Sequence, residues 1–263
     1  MNWIASLPMY NVTPVLASHW RALLADTLRV AAPGARIEDR GSDLYGLWRD
    51  DRLLLAQTCG YPLMHSLAGA VQVVATPHFD APGCDGLSYR SVLVVRVDAP
   101  YPSLEACRGA RAAFNQDDSN SGMNLFRHAV APLARGGRFF GSVLQTGSHL
   151  ASLQALAEGR ADVTAIDCVT FAFVQDGLPA LAAAVRGIGW TAPAPGLPLV
   201  AARTVPAALI ESLRGALDIA LQADPDRARA LHLKGFSVPP AHAYDRIVTL
   251  EQEAEGAGYP HLA

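Results

Sequence analysis

Two short polar segments and one acidic residue hold the side chains best suited to chemistry. The first is Asp117-Asp118-Ser119-Asn120-Ser121-Gly122-Met123-Asn124, between an apolar run ending at Asn115 and a helical pattern starting at Met123. A helix start leaves backbone N–H groups without intrahelical acceptors and carries about half a positive charge from the macrodipole. Ser119 and Ser121 add hydroxyl donors there, and Gly122 lets the backbone approach a bound group closely. Such a cradle suits a tetrahedral oxyanion and requires no lysine. The same residue types also serve as an ordinary helix cap, and the loop alone supports both readings.

The second segment is Thr146-Gly147-Ser148-His149, which opens another helix. In its first turn the His149 ring is placed either to donate to an anion or to act as a surface or capping residue. Asp167 ends the strand Val163 to Ile166 and precedes a helix that starts at Cys168. It fits an N-cap, and a ligand contact is compatible with that role. The remaining histidines show no metal-ligand spacing, so no metal site and no cofactor are assigned.

The elements that position these groups follow a strand–helix alternation, which predicts an α/β fold with largely parallel strands. Trp3 to Leu7 reads as a strand. Thr13 then caps a helix with Pro14 at its first position, and Leu16, Trp20, Leu23, Leu24 and Leu28 recur at helical spacing. Arg36 to Arg40, Leu53 to Thr58 and Val71 to Thr76 read as strands, with a short helix over Asp43 to Arg49. Asp50-Asp51-Arg52 reads as a hairpin turn. Ser88 to Val97 is one long strand-like run.

The series restarts near Ala110. Ala112 to Asn115, Phe139 to Gln145 and Val163 to Ile166 read as strands, with helices over Met123 to Leu133, Ser148 to Glu158 and from Cys168. Val185 to Trp190 and Leu197 to Ala202 read as returning strands, and helices over Pro206 to Leu221, Pro225 to Leu231 and Ala243 to Glu255 end the chain. A restart followed by a return predicts two lobes, residues 1–97 with 197–263 and residues 98–196. The Tyr89 run and the Trp190 to Pro198 region are the two crossings, and the cleft between the lobes is the expected ligand site.

Bulk properties narrow the function. The 263 residues are 51% hydrophobic and 17% charged, with a net charge of −3. A chain of this composition buries a large core and offers no basic field for nucleic acid or an anionic membrane. The four cysteines, Cys59, Cys84, Cys107 and Cys168, have no CxxC spacing and read as reduced core residues. No apolar window is long enough to span a membrane. The first residues show no signal-peptide pattern, which predicts a cytoplasmic protein, or a periplasmic one if a leader has been removed.

In order and spacing, the chain resembles the phosphonate/phosphate substrate-binding proteins of ABC importers, which share the type 2 periplasmic-binding fold. The matching stretches are Pro8-Met9-Tyr10 with its capped helix, Ser88-Tyr89-Arg90-Ser91 and Asp118-Ser119-Asn120-Ser121-Gly122. They continue through Gly147-Ser148-His149 and Gly159-Arg160-Ala161-Asp162-Val163-Thr164-Ala165-Ile166-Asp167. The resemblance implies two α/β lobes joined by two crossing strands, with Ser119, Asn120, Ser121 and His149 contacting the oxygens of a small phosphonate- or phosphate-like anion. It further implies Tyr89 as a lining residue and Asp167 as a partner for a ligand amino group. Tyr10 and Tyr61, at strand ends, are candidate walls and equally candidate core edges. Asn120 departs from the family pattern, standing where a hydroxyl residue is usual.

The implied partners are a small oxyanion and, for an exported protein, an ABC permease. Two other functions fit the same fold. One is a cytoplasmic enzyme of cofactor biosynthesis with Asp167 or His149 as general acid or base, although no nucleophile–base–orienter trio stands in a recognisable motif. The other is a ligand-sensing module acting through protein contacts.

Overall fold

The computed structural model describes residues 2–41 and 43–263; Met1, where the N-terminal reading begins, and Ser42 lie outside them. The first elements are β1 (Ile4–Ser6), α1 (Pro14–Ala31), β2 (Arg36–Ile37), α2 (Leu44–Trp48), β3 (Leu53–Gln57), α3 (Gly60–Met64) and β4 (Val71–Phe79). The middle holds β5 (Ser88–Tyr89), β6 (Ser91–Arg96), β7 (Arg111–Phe114), α4 (Leu125–Val130), β8 (Ser142–Gln145), α5 (His149–Ala157), β9 (Val163–Asp167) and α6 (Cys168–Gly177). Then follow α7 (Pro179–Ala183), β10 (Val185–Trp190), β11 (Ala194–Pro195), β12 (Leu199–Ala202), α8 (Ala207–Gln222), α9 (Pro225–Ala230), β13 (Leu233–Ser237) and α10 (Asp245–Gly256).

The chain forms two compact units. Unit 1 comprises Met1–Asp80, Asp85–Leu87 and Gly196–Ala243; unit 2 comprises Ala81–Cys84, Ser88–Pro195 and Tyr244–Ala263. These limits differ from the expected lobes in two long stretches, and also at residues 81–84 and 196. Residues 88–97 and 244–263 were expected with the first lobe and are members of unit 2. The reason for the second difference is a set of polar contacts from α10 and the residues after it. The Ile247 carbonyl accepts from Asn124 Nδ2, Glu251 pairs with Arg127, and Glu253 with His128.

Unit 1 is built on a six-stranded sheet of order β13-β4-β12-β3-β1-β2. Its strands β1, β2 and β3 are parallel, while β12 runs antiparallel to β3 and β4, and β13 antiparallel to β4. The all-buried run Leu53-Leu54-Leu55-Ala56 lies in the middle of the sheet, and α1, packed against β1, β2 and α8, buries Trp20, Leu23, Leu24 and Leu28. Thr13 caps α1 as expected, its Oγ1 accepting from Leu16 N at 3.2 Å.

Unit 2 has a five-stranded sheet of order β10-β6-β9-β7-β8 and a short β5–β11 pair. Strands β7, β8 and β9 are parallel, and β6 is antiparallel to both β9 and β10. The expectation of largely parallel strands is corrected accordingly: each of the two large sheets mixes a parallel set with antiparallel strands, and the β5–β11 pair is antiparallel. The core of unit 2 gathers Leu93, Val95, Phe126, Val130, Phe139, Phe140, Val163 and Tyr259.

Several local readings change. The Ser88 run is two strands, interrupted at Arg90, whose carbonyl accepts from Cys168 N and whose guanidinium donates to the Thr191 carbonyl. Phe139 and Phe140 are not strand residues because both donate their N–H to the Ala263 carbonyl. Asp50-Asp51-Arg52 joins helix α2 to strand β3 and is no hairpin. Instead the Asp50 carboxylate is held by Arg52 and Arg40, which keeps it far below the usual carboxylate range.

Candidate functional site

The parallel pairing of β7, β8 and β9 has a direct consequence. Their carboxyl ends lie along one edge of the unit 2 sheet, and ligand sites of open α/β sheets form outside that edge. The serine loop follows β7, Gly147-Ser148-His149 follows β8, and Asp167 closes β9. Strand β6 begins at the same edge, with Ser91 the register partner of Asp167. One topological fact thus assembles the candidates Tyr89, Ser119, Asn120, Ser121, His149 and Asp167.

The loop enters its helix through one π-helical turn, Asn120–Asn124, before α4. Single π-turns inside helices are frequent at functional sites. Ser119 caps the turn, its Oγ accepting from Gly122 N at 3.1 Å. Asn120 Nδ2 donates to the Tyr89 hydroxyl at 3.0 Å, and Asn124 Nδ2 donates to Asn120 Oδ1 at 3.0 Å. Ser91 Oγ donates to the Ser121 carbonyl at 3.0 Å. The amide at position 120 therefore ties the loop to Tyr89 and to Asn124, a two-ended span that a hydroxyl is too short to make.

Gly122 is required by close approach. A Cβ at this position would stand 2.1 Å from Asn115 Oδ1 and 3.1 Å from His149 Cε1. We expect Gly122→Ala to lower stability by about 1–3 kcal/mol. Chemical denaturation measures this, and a loss below about 0.5 kcal/mol would contradict the packing described.

Ser121 and His149 join the two helix starts, Ser121 Oγ lying 2.8 Å from His149 Nε2. Ser148 caps α5, with its Oγ accepting from Ala151 N. The ring of His149 keeps a partly exposed edge, but its Nδ1 atom is shut from water and has no partner. Burial holds its pKa down to about 4, so the imidazole is neutral at pH 7. An orphaned acceptor costs less than an orphaned donor. We therefore assign the proton to Nε2, which donates to Ser121 Oγ and leaves the serine O–H directed elsewhere.

The sign of the pH effect follows. The unfolded chain takes up a proton below about 6.5 and the native ring does so only near 4. Stability is thus intact above about pH 6.5 and falls as pH drops toward 4. The loss attributable to this ring is about 1–3 kcal/mol, the lower end reflecting its exposed edge. His149→Gln should flatten that part of the profile in urea titrations at pH 4.5 and 7. An unchanged difference between the two pH values would refute the assignment.

Asp167 is the N-cap of α6: its Oδ1 accepts from Val169 N at 2.8 Å and Thr170 N at 3.0 Å. Tyr10 and Tyr61 belong to unit 1. The Tyr10 ring is buried and packs on Phe79 and Trp20, with its backbone at φ +65°. Tyr61 lies in α3 with its ring 4.3 Å from that of His65.

A family model for the periplasmic phosphonate substrate-binding protein of ABC transporters matches residues 51–243, well over half of the chain. This chain belongs to that family. No curated protein sequence matches it. Among solved structures, a binding-protein component of an ABC phosphonate transporter from Pseudomonas aeruginosa superposes with a TM-score of 0.78 at 18% identity, covering 97% of this chain and 87% of that one. PhnD1 from Prochlorococcus marinus, in complex with methylphosphonate, gives 0.75 at 15% identity over 97% and 98% of the two chains. A Xanthomonas citri protein bound to ATP gives 0.68 at 18% identity over 97% and 98%.

The fold is therefore the type 2 periplasmic-binding fold, as the sequence led us to expect. Membership in the phosphonate-binding family implies a small ligand and a permease partner. Among the described residues no helix is long and apolar enough to cross a membrane. Sequence reasoning missed several residues that brace these segments: Ser91, Asn115, Asn124, Arg127 and Thr191. Asn124 and Arg127 stand three apart on one helical stretch, a spacing that places their side chains together. The other three carry no local signal.

Proposed function

We propose that this chain captures a small phosphorus oxyanion, a phosphonate or a phosphate-like group, at the carboxyl edge of the unit 2 sheet and passes it unchanged to an ABC permease. The observation that carries this reading is the Ser121–His149 contact at 2.8 Å, which brings two helix starts to one place. Ser121 donates its hydroxyl to an anionic oxygen while neutral His149 orients it, and N–H groups of the first turns add their dipoles. Asn120, Tyr89 and Ser119 hold the loop in shape. Asp167 accepts from an amino group on the ligand's organic part. Methylphosphonate and ATP, bound by two proteins of this fold, share a tetrahedral phosphorus oxyanion, which supports the ligand class. The family's periplasmic description supports service there over the cytoplasmic expectation.

The enzyme alternative finds no support in the site. Ser121 and His149 have the separation of a nucleophile and its base, yet Nδ1 lacks the orienting partner such pairs use. A ring with a pKa of about 4 is also a weak base at neutral pH.

A thermal-shift series with phosphate, methylphosphonate, 2-aminoethylphosphonate, methanesulfonate and acetate tests the reading. At a hundred times Kd the preferred phosphorus ligand should raise Tm by roughly 5–10 °C, and phosphorus NMR should show it unchanged after incubation. A shift with acetate and none with any phosphorus compound would overturn the ligand class; consumption of the ligand would overturn the binding role.

A further inference from the structure

Outside the oxyanion site, two of the four cysteines stand in contact. Cys84 Sγ and Cys168 Sγ lie 3.4 Å apart, although 84 positions separate them in the chain. Cys168 is the first residue of α6 and is buried, whereas Cys84 is partly exposed. Both are fixed through their backbones. Cys84 closes a tight turn, its N–H donating to the Ala81 carbonyl at 3.0 Å, and Cys168 N–H donates to the Arg90 carbonyl at 3.1 Å. Gly83 makes the approach possible. At φ +98° a side chain there is strained, and a Cβ would stand 2.4 Å from the Trp190 ring and 3.1 Å from Cys168 Cβ. The turn Ala81–Cys84 is counted with unit 2 although its flanking residues belong to unit 1.

We propose that Cys84 and Cys168 are a dithiol–disulfide pair that closes on exposure to a small disulfide oxidant. The bond requires the two sulfurs to approach from contact to about 2.05 Å, a movement within the reach of side-chain rotation. Cys84, the accessible thiol, attacks one sulfur of oxidised glutathione and releases one glutathione thiolate. Cys168 then loses its proton, attacks Cys84 Sγ and expels the second glutathione. Two electrons pass from the cysteines to the glutathione disulfide, and the two protons end on its two thiols. The hydrogen bond to Cys84, burial and the Asp167 charge all favour the protonated Cys168 thiol, so closure should quicken as pH rises. An oxidising compartment such as the periplasm is where such a bond persists. Cys107 differs, being sealed in the unit 2 core with its thiol pushed up to about 12 by burial, and Cys59 is buried in unit 1. The bond would pin the turn to the residue directly after Asp167. This inference stands independently of the ligand reading.

The test uses the full chain, reduced with dithiothreitol, freed of it, and incubated with oxidised glutathione at pH 8. Thiols are counted in denaturant and peptides are mapped by mass spectrometry. Four thiols should fall to two, with a peptide linking Cys84 to Cys168 that dithiothreitol reverses. A Cys59→Ser/Cys107→Ser variant, which keeps the pair, should lose both of its thiols, and Cys84→Ser should keep all three of its own. Four surviving thiols, a link through Cys59 or Cys107, or a stable glutathione adduct on Cys84 would each overturn the proposal.

Discussion

Replacing Ser121 with alanine should raise the Kd for methylphosphonate roughly ten- to a hundredfold while leaving the fold intact. The estimate is the loss of one hydrogen bond to a charged group, about 1.5–3 kcal/mol. His149→Ala should weaken binding to a similar degree by a different route. It leaves the serine hydroxyl present but free to rotate, and its proton is no longer reserved for the ligand. Because the two side chains touch at 2.8 Å, their effects should not add. The double variant is expected to bind little worse than the weaker single one. Titration calorimetry gives all four constants. Unchanged affinity in both single variants would remove the site, and strict additivity would separate the two residues' roles.

The second large effect concerns stability. Arg127 is buried, and its guanidinium donates to the Pro260 carbonyl at 2.7 Å and to Asn124 Oδ1 at 2.9 Å. It also pairs with Glu251 at 3.3 Å, the two side chains being 5% and 13% exposed. Removing one partner of a largely buried ion pair typically costs about 3–5 kcal/mol. Arg127→Ala should therefore destabilise the protein by about 3–5 kcal/mol in denaturant titrations. It should also loosen Asn124 and, through it, Asn120. A double-mutant cycle with Glu251→Ala isolates the pair's own share of that loss. A single-variant loss under about 1 kcal/mol would show that the Arg127–Glu251 pair contributes little to holding α10 on unit 2.

The contrast between these two cases explains what the sequence made readable. Short-range signals carried far. Thr13-Pro14 marked a helix start, and the observed cap agrees. The serine loop and Gly147-Ser148-His149 were recognisable because each follows an apolar run and opens a helix. That both helices face one edge follows from the parallel pairing of β7 with β8, which the strand–helix alternation already implied.

What escaped the sequence is long-range. The contact between Asn124 and the Ile247 carbonyl spans 123 positions, and nothing in either segment names the other. The C-terminal helix, expected with the first lobe, therefore lies with unit 2. Strand β13 was missed because Lys234-Gly235 breaks the apolar alternation, and it pairs only with β4, at the edge of its sheet. Asn120, which looked like the loss of a hydroxyl donor, proved to bridge Tyr89 and Asn124. The Cys84–Cys168 contact is of the same kind: neither residue's neighbours hint at the partner.

The most direct measurement is a crystal structure of this chain grown with methylphosphonate. Its phosphorus-bound oxygens should lie within hydrogen-bond distance of Ser121 Oγ, with His149 Nε2 still bonded to that oxygen from behind. An anion seated elsewhere, with Ser121 and His149 untouched, would contradict the claim that two helix starts of unit 2 form the oxyanion site.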